Sequence, residues 1–379
     1  MKHPYQQVAI TKSGHLAATC TNHVYVFDQT SGARVGQWTD PIDRQSALKA
    51  KVAAEGKTTK VAEPGDNAPV AYDIVRILDT TATQLLTATD SDKAVELFNF
   101  KENELDLIRR QPCPKRPSAG AFVTDNEVVV ADKFGDVYVV DSGKEIADPK
   151  KMEPVLGHVS LLNSVVMAEH DGKKYIITGD RDEHVRVSHY PQSFVIKHWL
   201  FGHSEFVAAL HIPQSNPELL FSAGGDDYVC VWKWFDNELV TKIDVASQIK
   251  PYLGEAHLPA ERFRTPESVP EMVVTRLQSY HQQLFVLVEQ TPVVLVYNFD
   301  GSFSHMIEAS ASITDFAVDP ASGTVYAAVD TDETPLIEGF TATGDKVTVP
   351  EFSHDVDIES RSDVYPLYPQ KVLRKHGEY

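Results

Sequence analysis

The sequence is poor in cysteine and has no long apolar run. Its 379 residues include three cysteines, Cys20, Cys113 and Cys230, and none of them belongs to a C-x-x-C pair. Isolated cysteines exclude a disulfide framework and a zinc ribbon, and they are typical of a reducing compartment. No stretch reaches the roughly 18 apolar residues of a membrane span, and no apolar segment of signal-peptide length follows the first residues. We therefore expect a cytosolic or nuclear protein without membrane contact.

Basic residues are also scarce. Lys and Arg number 35 against 54 Asp and Glu, which gives a net charge of −19. A chain that binds nucleic acid by itself usually has a basic patch, because Lys and Arg make the phosphate contacts. The charge therefore argues against an independent nucleic-acid binder. It allows membership of a complex in which another subunit supplies the basic surface.

Motifs of catalysis and cofactor binding are missing as well. No G-x-S-x-G, H-E-x-x-H, P-loop or G-x-G-x-x-G pattern occurs. His184 and His189 are five residues apart, which in a strand places them on opposite faces, so they cannot chelate one ion. The acidic turns at Asp182 and Asp226 are interpreted as turn capping and repeat structure. We assign no catalytic residue, no metal site and no cofactor to this sequence.

Short β-type runs separated by turn residues fill most of the chain. Residues 127–131 and 136–140, for example, flank a turn at 132–135. Strands of about five residues at regular spacing predict an all-β sandwich, barrel or propeller. An internal repeat decides among these, because Gly157-His158 recurs 45 residues later as Gly202-His203 and a similar course follows each pair.

The second copy of the repeat has the residues for a buried hydrogen-bond relay. His203 is expected to join the Asp226 carboxylate to the Ser222 hydroxyl, and Ser222 to the Trp232 indole. The first copy has the corresponding residues His158 and Thr178, with Asp182 at the aspartate position and Ser188 in place of the tryptophan. This pattern resembles the WD40 repeat.

The repeat length predicts an all-β fold, a seven-bladed WD40 β-propeller over residues 1–350. Two insertions interrupt it, at 41–70 and at 247–272, and a C-terminal tail follows at 351–379. Six or eight blades remain open, as does the strand that closes the ring. The blades are expected near residues 1–40, 71–113, 114–158, 159–203, 204–246, 273–309 and 310–350.

Four basic positions are the candidates for contacts with a partner. Lys115 and Arg116 lie between the second and third blades, Arg181 lies in the acidic turn, and Arg186 lies on the strand after it. Arg186 could cover its own sheet with its aliphatic stem, or its guanidinium could bind a partner carboxylate in bidentate fashion. Residue chemistry alone leaves both interpretations open.

Several blocks between residues 113 and 235 carry a closer resemblance. Together they resemble the WD-repeat, non-catalytic subunit of the eukaryotic tRNA (guanine-N7)-methyltransferase, and the continuation at 189–192 is similar to fungal members. The match is specific in this region, weak in the first and last blades, and absent from the insertions. The blocks are Lys115-Arg116-Pro117 and residues 131–138, 156–160, 180–188 and 200–207.

The resemblance implies a non-catalytic scaffold that forms a heterodimer with a separate catalytic subunit. That partner holds S-adenosylmethionine and methylates N7 of guanine 46 in certain tRNAs, and the propeller binds and stabilises it. tRNA is then reached through the complex, and the basic tail residues Lys371, Arg374 and Lys375 are the expected place for any direct RNA contact. The resemblance also implies location in the nucleus, with the cytoplasm as a further site.

For the partner surface, the resemblance places Arg186 where family members have a basic residue that contacts the catalytic subunit. Arg181, Asp182, Lys115 and Arg116 are expected beside it. The alternative function is a WD40 substrate receptor or scaffold of another complex, such as a ubiquitin ligase, although the W-D-x-R docking sequence of such receptors is absent after Trp232. A propeller hydrolase or lyase is a third possibility, which would need acids or histidines converging on a central channel.

Overall fold

The computed structural model describes residues 1–44, 72–101 and 104–376. These residues form seven antiparallel sheets, each built from four strands that are consecutive in the chain. The seven-bladed all-β propeller is therefore confirmed. Residues 45–70 of the predicted insertion at 41–70 lie outside the described residues.

The first four blades are formed by β1–β16, and each falls inside one predicted segment. Blade 1 comprises β1 (Gln7–Ile10), β2 (His15–Cys20), β3 (His23–Asp28) and β4 (Arg34–Thr39). Blade 2 comprises β5 (Val75–Thr80), β6 (Gln84–Thr89), β7 (Ala94–Lys101) and β8 (Glu104–Pro112). Blade 3 comprises β9 (Pro117–Thr124), β10 (Glu127–Asp132), β11 (Asp136–Asp141) and β12 (Leu156–Gly157). Blade 4 comprises β13 (Leu162–His170), β14 (Lys173–Asp180), β15 (Val185–Tyr190) and β16 (Ile196–Leu200).

The remaining three blades are formed by β17–β28. Blade 5 comprises β17 (Val207–His211), β18 (Leu219–Gly224), β19 (Tyr228–Lys233) and β20 (Glu238–Asp244). Blade 6 comprises β21 (Val274–Tyr280), β22 (Gln283–Val288), β23 (Val293–Asn298) and β24 (Phe303–Glu308). Blade 7 comprises β25 (Ile313–Val318), β26 (Val325–Val329), β27 (Ile337–Phe340) and β28 (Lys346–Val347).

Apart from residue 44, the helical structure of the described residues is confined to single turns. The predicted loop at 247–272 contains most of them, and the other two lie after blade 7. Within the described segments, no helix has the length and apolar character needed to cross a membrane. The turns are an α-helical one at Ala246–Ile249 and 3-10 turns at Lys250–Tyr252, Glu255–His257, Glu261–Phe263, Arg361–Asp363 and Lys371–Leu373.

The second strands are apolar almost throughout because both faces of each sheet are covered by the neighbouring blades. In β10 and in β22, every residue except the first is buried. The fourth strand, at the rim, has solvent on one side, and β4 shows no fully buried residue. The hydrophobic core is thus divided into layers between adjacent sheets, and the fold holds the loops at the ends of the strands rigidly.

The first strands surround a central channel of about 1060 Å³ and hold the blades to one another. At five of the seven junctions, a side chain of one first strand accepts a backbone N–H from the first strand of the next blade. These bonds satisfy backbone groups that the sheets leave unpaired. The acceptor and donor residues are Gln7 and Ile77 (2.8 Å), Asp79 and Phe122 (2.9 Å), Ser164 and Leu210 (3.1 Å), Gln278 and Val318 (2.8 Å), and Asp315 and Val8 (3.0 Å).

The ring closes between blade 7 and blade 1 without a strand exchanged between them. Thr314 Oγ1 donates a hydrogen bond to the Tyr5 carbonyl (2.7 Å), and Lys2 forms an antiparallel bridge with Asp357. Phe352 packs against Tyr5 in the layer between these blades and is 4 % exposed. The first part of the C-terminal segment that begins at residue 351 therefore completes the core of the ring.

Candidate partner-binding face

The hydrogen-bond relay of blade 5 fixes two loops at one end of the strands. His203 Nδ1 lies 2.7 Å from an Asp226 oxygen, and His203 Nε2 lies 2.7 Å from Ser222 Oγ. Trp232 Nε1 donates to the same Ser222 oxygen at 2.8 Å. Because a carboxylate only accepts, Nδ1 carries the proton, and the Ser222 hydroxyl donates to Nε2. All four side chains are buried, so the relay locks the loop before β17 to the turn before β19.

Blade 4 contains a shorter relay with a different aspartate from the one expected. His158 bonds Thr178 Oγ1 and an Asp180 oxygen, both at 2.8 Å. Comparison of the two repeats in the sequence placed Asp182 at this position, and that assignment is wrong. The strand β14 continues to Asp180, so Thr178 and Asp180 are two residues apart on one face of it. Asp182 lies beyond the strand end and points elsewhere.

These two relays lie on the upper face of the propeller, which we define as the face with the turns between the second and third strands and the connections between blades. The proposed partner residues other than Arg186 lie in loops of this face. Lys115 and Arg116 lie in the connection between blades 2 and 3, and Arg181 and Asp182 lie in the turn between β14 and β15. The structure thus places them at one end of blades 3 and 4.

Arg186 is not on this face but inside blade 4. Its side chain donates to Ser188 Oγ (2.9 Å), to the Gly157 carbonyl (2.9 Å) and to the Ser193 carbonyl (3.1 Å). The residue is 6 % exposed, its guanidinium lies 5.7 Å from the Trp199 ring centroid, and burial lowers its pKa. This differs from the expectation of an exposed anchor, because the rim strand β16 covers β15. Arg186 is a positioning residue that holds the loop carrying His158.

The turn with Arg181 and Asp182 is tied to the C-terminal segment. Asp182 Oδ1 accepts from Ser160 Oγ at 2.6 Å and from Lys375 Nζ at 2.7 Å. Burial opposes ionisation of Asp182, but the hydrogen bonds from Lys375 and Ser160 outweigh it and lower the pKa of that carboxyl. Arg181 Nε donates to the Leu373 carbonyl at 2.7 Å. Sequence reasoning missed these contacts, since they join residues about 190 positions apart.

Lys115 and Arg116 border an exposed aromatic ring. Lys115 Nζ lies 4.5 Å from the centroid of Phe134, and Lys133 Nζ lies 5.5 Å from it on the same turn. Arg116 pairs with Asp90 at 3.2 Å and keeps 46 % of its side chain exposed. The cations are therefore oriented by contacts within the chain while remaining accessible.

Three apolar side chains are exposed on the upper face in successive loops of blades 3 to 5. Phe134 is 56 % exposed, Val159 is 104 % exposed and Phe201 is 69 % exposed. Together with Lys115 and Asp182 we call them the apolar patch. Contiguous exposed apolar side chains rimmed by charges mark interaction sites. Sequence analysis had not assigned these three a role.

A left-handed glycine brings two of these loops together. Gly135 has a φ of +99°, and its carbonyl accepts the His158 N–H at 2.8 Å. A Cβ at this position would lie 2.5 Å from the Ser160 carbonyl oxygen, so only glycine allows the approach. The loop that carries Phe134 is thus held against the loop that carries Val159.

The acids of the central channel serve to join blades. The carboxylates of Asp79 and Asp315 accept the N–H groups described above, and burial raises the pKa of both. His211 bonds Ser279 Oγ at 2.8 Å, and burial lowers its pKa to about 4. These contacts connect blade to blade in the wall of the channel.

Comparison with known proteins gives matches over the whole chain. The family model described as "tRNA methyltransferase TRM82 WD40 domain" matches residues 16–153 and 141–343. Proteins named tRNA (guanine-N(7)-)-methyltransferase non-catalytic subunit TRM82 are 38% identical in Debaryomyces hansenii and 39% identical in Meyerozyma guilliermondii, each alignment covering 100% of both chains. The Saccharomyces cerevisiae protein of that name is 30% identical over 100% of this chain and 99% of its own.

Solved structures of low sequence identity share the fold. A chain of the mitotic checkpoint complex crystal structure superposes with a TM-score of 0.59 at 13% identity, over 86% of each chain. The computationally designed Ika8 protein superposes with a TM-score of 0.54 at 12% identity, over 90% of this chain and 97% of its own. Fold and full-length sequence similarity agree, and the chain belongs to the TRM82 family of WD40-repeat, non-catalytic subunits of tRNA (guanine-N(7)-)-methyltransferase.

Proposed function

We propose that this chain is the scaffold of a heterodimer and that its upper face binds the catalytic subunit of a tRNA (guanine-N7)-methyltransferase. The observation that carries the proposal is the apolar patch, which exposes Phe134, Val159 and Phe201 on loops fixed by the two relays. The names of the full-length relatives supply the partner, because they describe a non-catalytic subunit. In this role the chain stabilises the S-adenosylmethionine-dependent subunit, which forms 7-methylguanine at position 46 of tRNA.

A rigid surface suits a scaffold for a thermodynamic reason. Association costs free energy for every loop and side chain that must be ordered, and preorganised loops avoid that cost. His203 and His158 each tie the connection between two blades to a neighbouring turn, and Gly135 joins the loop of Phe134 to the loop of Val159. The catalytic subunit would therefore meet a surface that needs little rearrangement.

The charge of the chain supports a division of roles. A net charge of −19 attracts a basic, RNA-binding subunit over long range and speeds their association. tRNA is then bound mainly by that subunit and reaches this chain through the complex. The nucleus is the proposed location, with the cytoplasm as a second site, and a fluorescent fusion in the source organism would test it.

The sharpest test compares aspartate replacements of two exposed phenylalanines, one inside the apolar patch and one far from it. Phe201→Asp puts a charge into the apolar patch, whereas Phe194→Asp changes a side chain that is 76 % exposed in the loop between β15 and β16, at the other end of the blade. After co-expression with the catalytic subunit, we expect Phe201→Asp to lose co-purification and tRNA N7 methylation. The control Phe194→Asp should retain both.

Two results would overturn the proposal. Complex formation that survives Phe201→Asp together with Phe134→Asp would remove the patch from the interface. Methylation of tRNA by this chain alone would contradict the role of a non-catalytic subunit. The ubiquitin-ligase receptor is not favoured, because full-length relatives carry the methyltransferase-subunit name.

A further inference from the structure

Residues 365–376, which we call the strap, cross the upper face from blade 1 to blade 4. At one end the Tyr365 N–H donates to His3 Nε2 at 2.8 Å. The strap then passes the mouth of the central channel, and the N–H groups of Gln370 and Lys371 donate to the Glu289 carboxylate at 2.7 and 2.9 Å. It continues as a 3-10 turn toward blades 5 and 4.

Beyond this turn the strap places its basic residues on carboxylates. Arg374 pairs with Glu205 at 2.7 Å and with Glu271 at 3.4 Å. Lys375 pairs with Asp182 at 2.7 Å. The basic strap lies along a row of four carboxylates on blades 6, 5 and 4. We call it the acidic row, and it consists of Glu289, Glu271, Glu205 and Asp182. Two of the three basic tail residues for which RNA contact is expected, Arg374 and Lys375, thus pair with carboxylates of this chain in the structure.

Apolar contact contributes little to this arrangement. Val372 is 74 % exposed, and Leu373 is the strap residue that packs against the small cluster of Phe206, Ala208 and Val273. The basic end of the strap is therefore held by ion pairs, hydrogen bonds, Leu373 and two ring contacts. His376 stacks on Phe263 with ring centroids 4.8 Å apart, and the Arg374 guanidinium lies 5.9 Å from the Phe206 centroid. Contacts of this kind are modest in strength and can be exchanged for another chain that offers the same charges.

The strap also uses groups at the edge of the apolar patch. Arg181 Nε is bonded to the Leu373 carbonyl, and Asp182 is bonded to Lys375. A protein that docks on the patch from above meets the strap at this turn. Such a protein would compete with the strap for these two side chains.

We propose that the acidic row is a docking site for a short basic segment of the catalytic subunit, and that the strap occupies it as an internal substitute until the partner binds. This inference rests on the proposed function. The row recognises an extended peptide with two cations spaced as in Arg374 and Lys375, preceded by backbone N–H groups for Glu289, because the strap fills it in this way. Exchange lets the partner bind without leaving the buried Glu289 or the half-buried Glu205, Glu271 and Asp182 without a partner.

The first measurement weakens the strap in the full-length chain. Arg374→Ala combined with Lys375→Ala removes its ion pairs, and the dissociation constant for the purified catalytic subunit is measured by titration calorimetry at low and high salt. Loss of these ion pairs raises the fraction of molecules in which the strap has left the acidic row. We therefore expect the dissociation constant to fall about three- to tenfold. The control replaces Lys150 and Lys151 by alanine. These are two exposed basic residues in the loop between β11 and β12, and their replacement should leave the dissociation constant unchanged.

The second measurement neutralises the row itself. Glu205→Gln combined with Glu271→Gln also releases the strap, yet it removes the carboxylates that a basic segment of the partner would need. We expect the dissociation constant to rise by about three- to tenfold, opposite to the strap variant. A fall would mean that the row binds the strap alone, and it would overturn the docking proposal.

Other outcomes are equally decisive. An unchanged or weaker affinity of the strap variant, with an unchanged thermal midpoint, would contradict competition. If the double replacement impairs folding, Lys375→Ala alone tests the same point, because it removes the ion pair to Asp182 without touching Arg374. Wild-type chain that fails to bind the catalytic subunit at all would instead refute the proposed function.

Discussion

Replacing Ser222 by alanine removes one oxygen atom that takes part in two buried hydrogen bonds. Ser222 Oγ accepts from Trp232 Nε1 at 2.8 Å and donates to His203 Nε2 at 2.7 Å, and the residue has no exposed surface. Each buried polar group left without a partner costs about 1–3 kcal/mol. We therefore expect Ser222→Ala to lower the free energy of unfolding by about 2–6 kcal/mol.

Blade 4 offers a matched comparison. Thr178 has the same place in its relay, but Ser188 stands where the tryptophan would be, so Thr178→Val leaves one ring nitrogen of His158 unpaired and keeps the side-chain volume. The expected loss is about 1–3 kcal/mol, which is smaller than for Ser222→Ala by about one buried hydrogen bond.

Urea unfolding followed by tryptophan fluorescence would measure both variants beside the wild type. The order of the midpoints is the decisive result, because it does not depend on a long extrapolation to water. A midpoint shift for Thr178→Val as large as that for Ser222→Ala would refute the reasoning. It would mean that the indole bond adds nothing to the relay.

Two further predictions concern buried charges. Burial raises the pKa of Glu96 to about 8 from 4.5, against the opposing effect of Arg110, so the folded state holds a proton there that the unfolded state has lost. The free energy of unfolding should fall as pH rises from about 4.5 to 8. In Glu96→Gln the urea midpoints at pH 5 and pH 8.5 should therefore differ less than in the wild type. An equal difference would exclude Glu96 as the source of the pH dependence. Arg186→Glu should abolish complex formation and also lower the thermal midpoint of the isolated chain, because Arg186 bonds inside blade 4. Lost binding with an unchanged midpoint would restore the surface-anchor hypothesis.

The parts of the fold that depend on local sequence were predictable. Ser222 and Asp226 have the spacing of a WD40 turn, and Trp232 ends the next strand, so the relay of blade 5 could be written down from the sequence. The repeat length favoured seven blades by the same logic, with six or eight left open. These features involve residues within one repeat, where spacing and geometry are closely related.

What could not be predicted depends on strand ends and on distant contacts. Asp180 and Asp182 are both in the blade 4 turn, and the choice between them depends on where β14 stops, which is the least certain property of a predicted strand. Burial of Arg186 follows from the cover that β16 gives to β15. The strap binds carboxylates that are remote in sequence, such as Glu205 and Asp182, and no local pattern marks such pairs.

The way the ring closes has a consequence for synthesis of the chain. Residues 1–3 leave the ribosome before the seven blades, yet their partners are residues 356–358, which leave it after all seven blades. Blades 1 to 6 can each form as they emerge, but the first blade waits with one side uncovered until blade 7 and Phe352 arrive. During translation that apolar side is open to solvent, and chaperones have their greatest opportunity to act there.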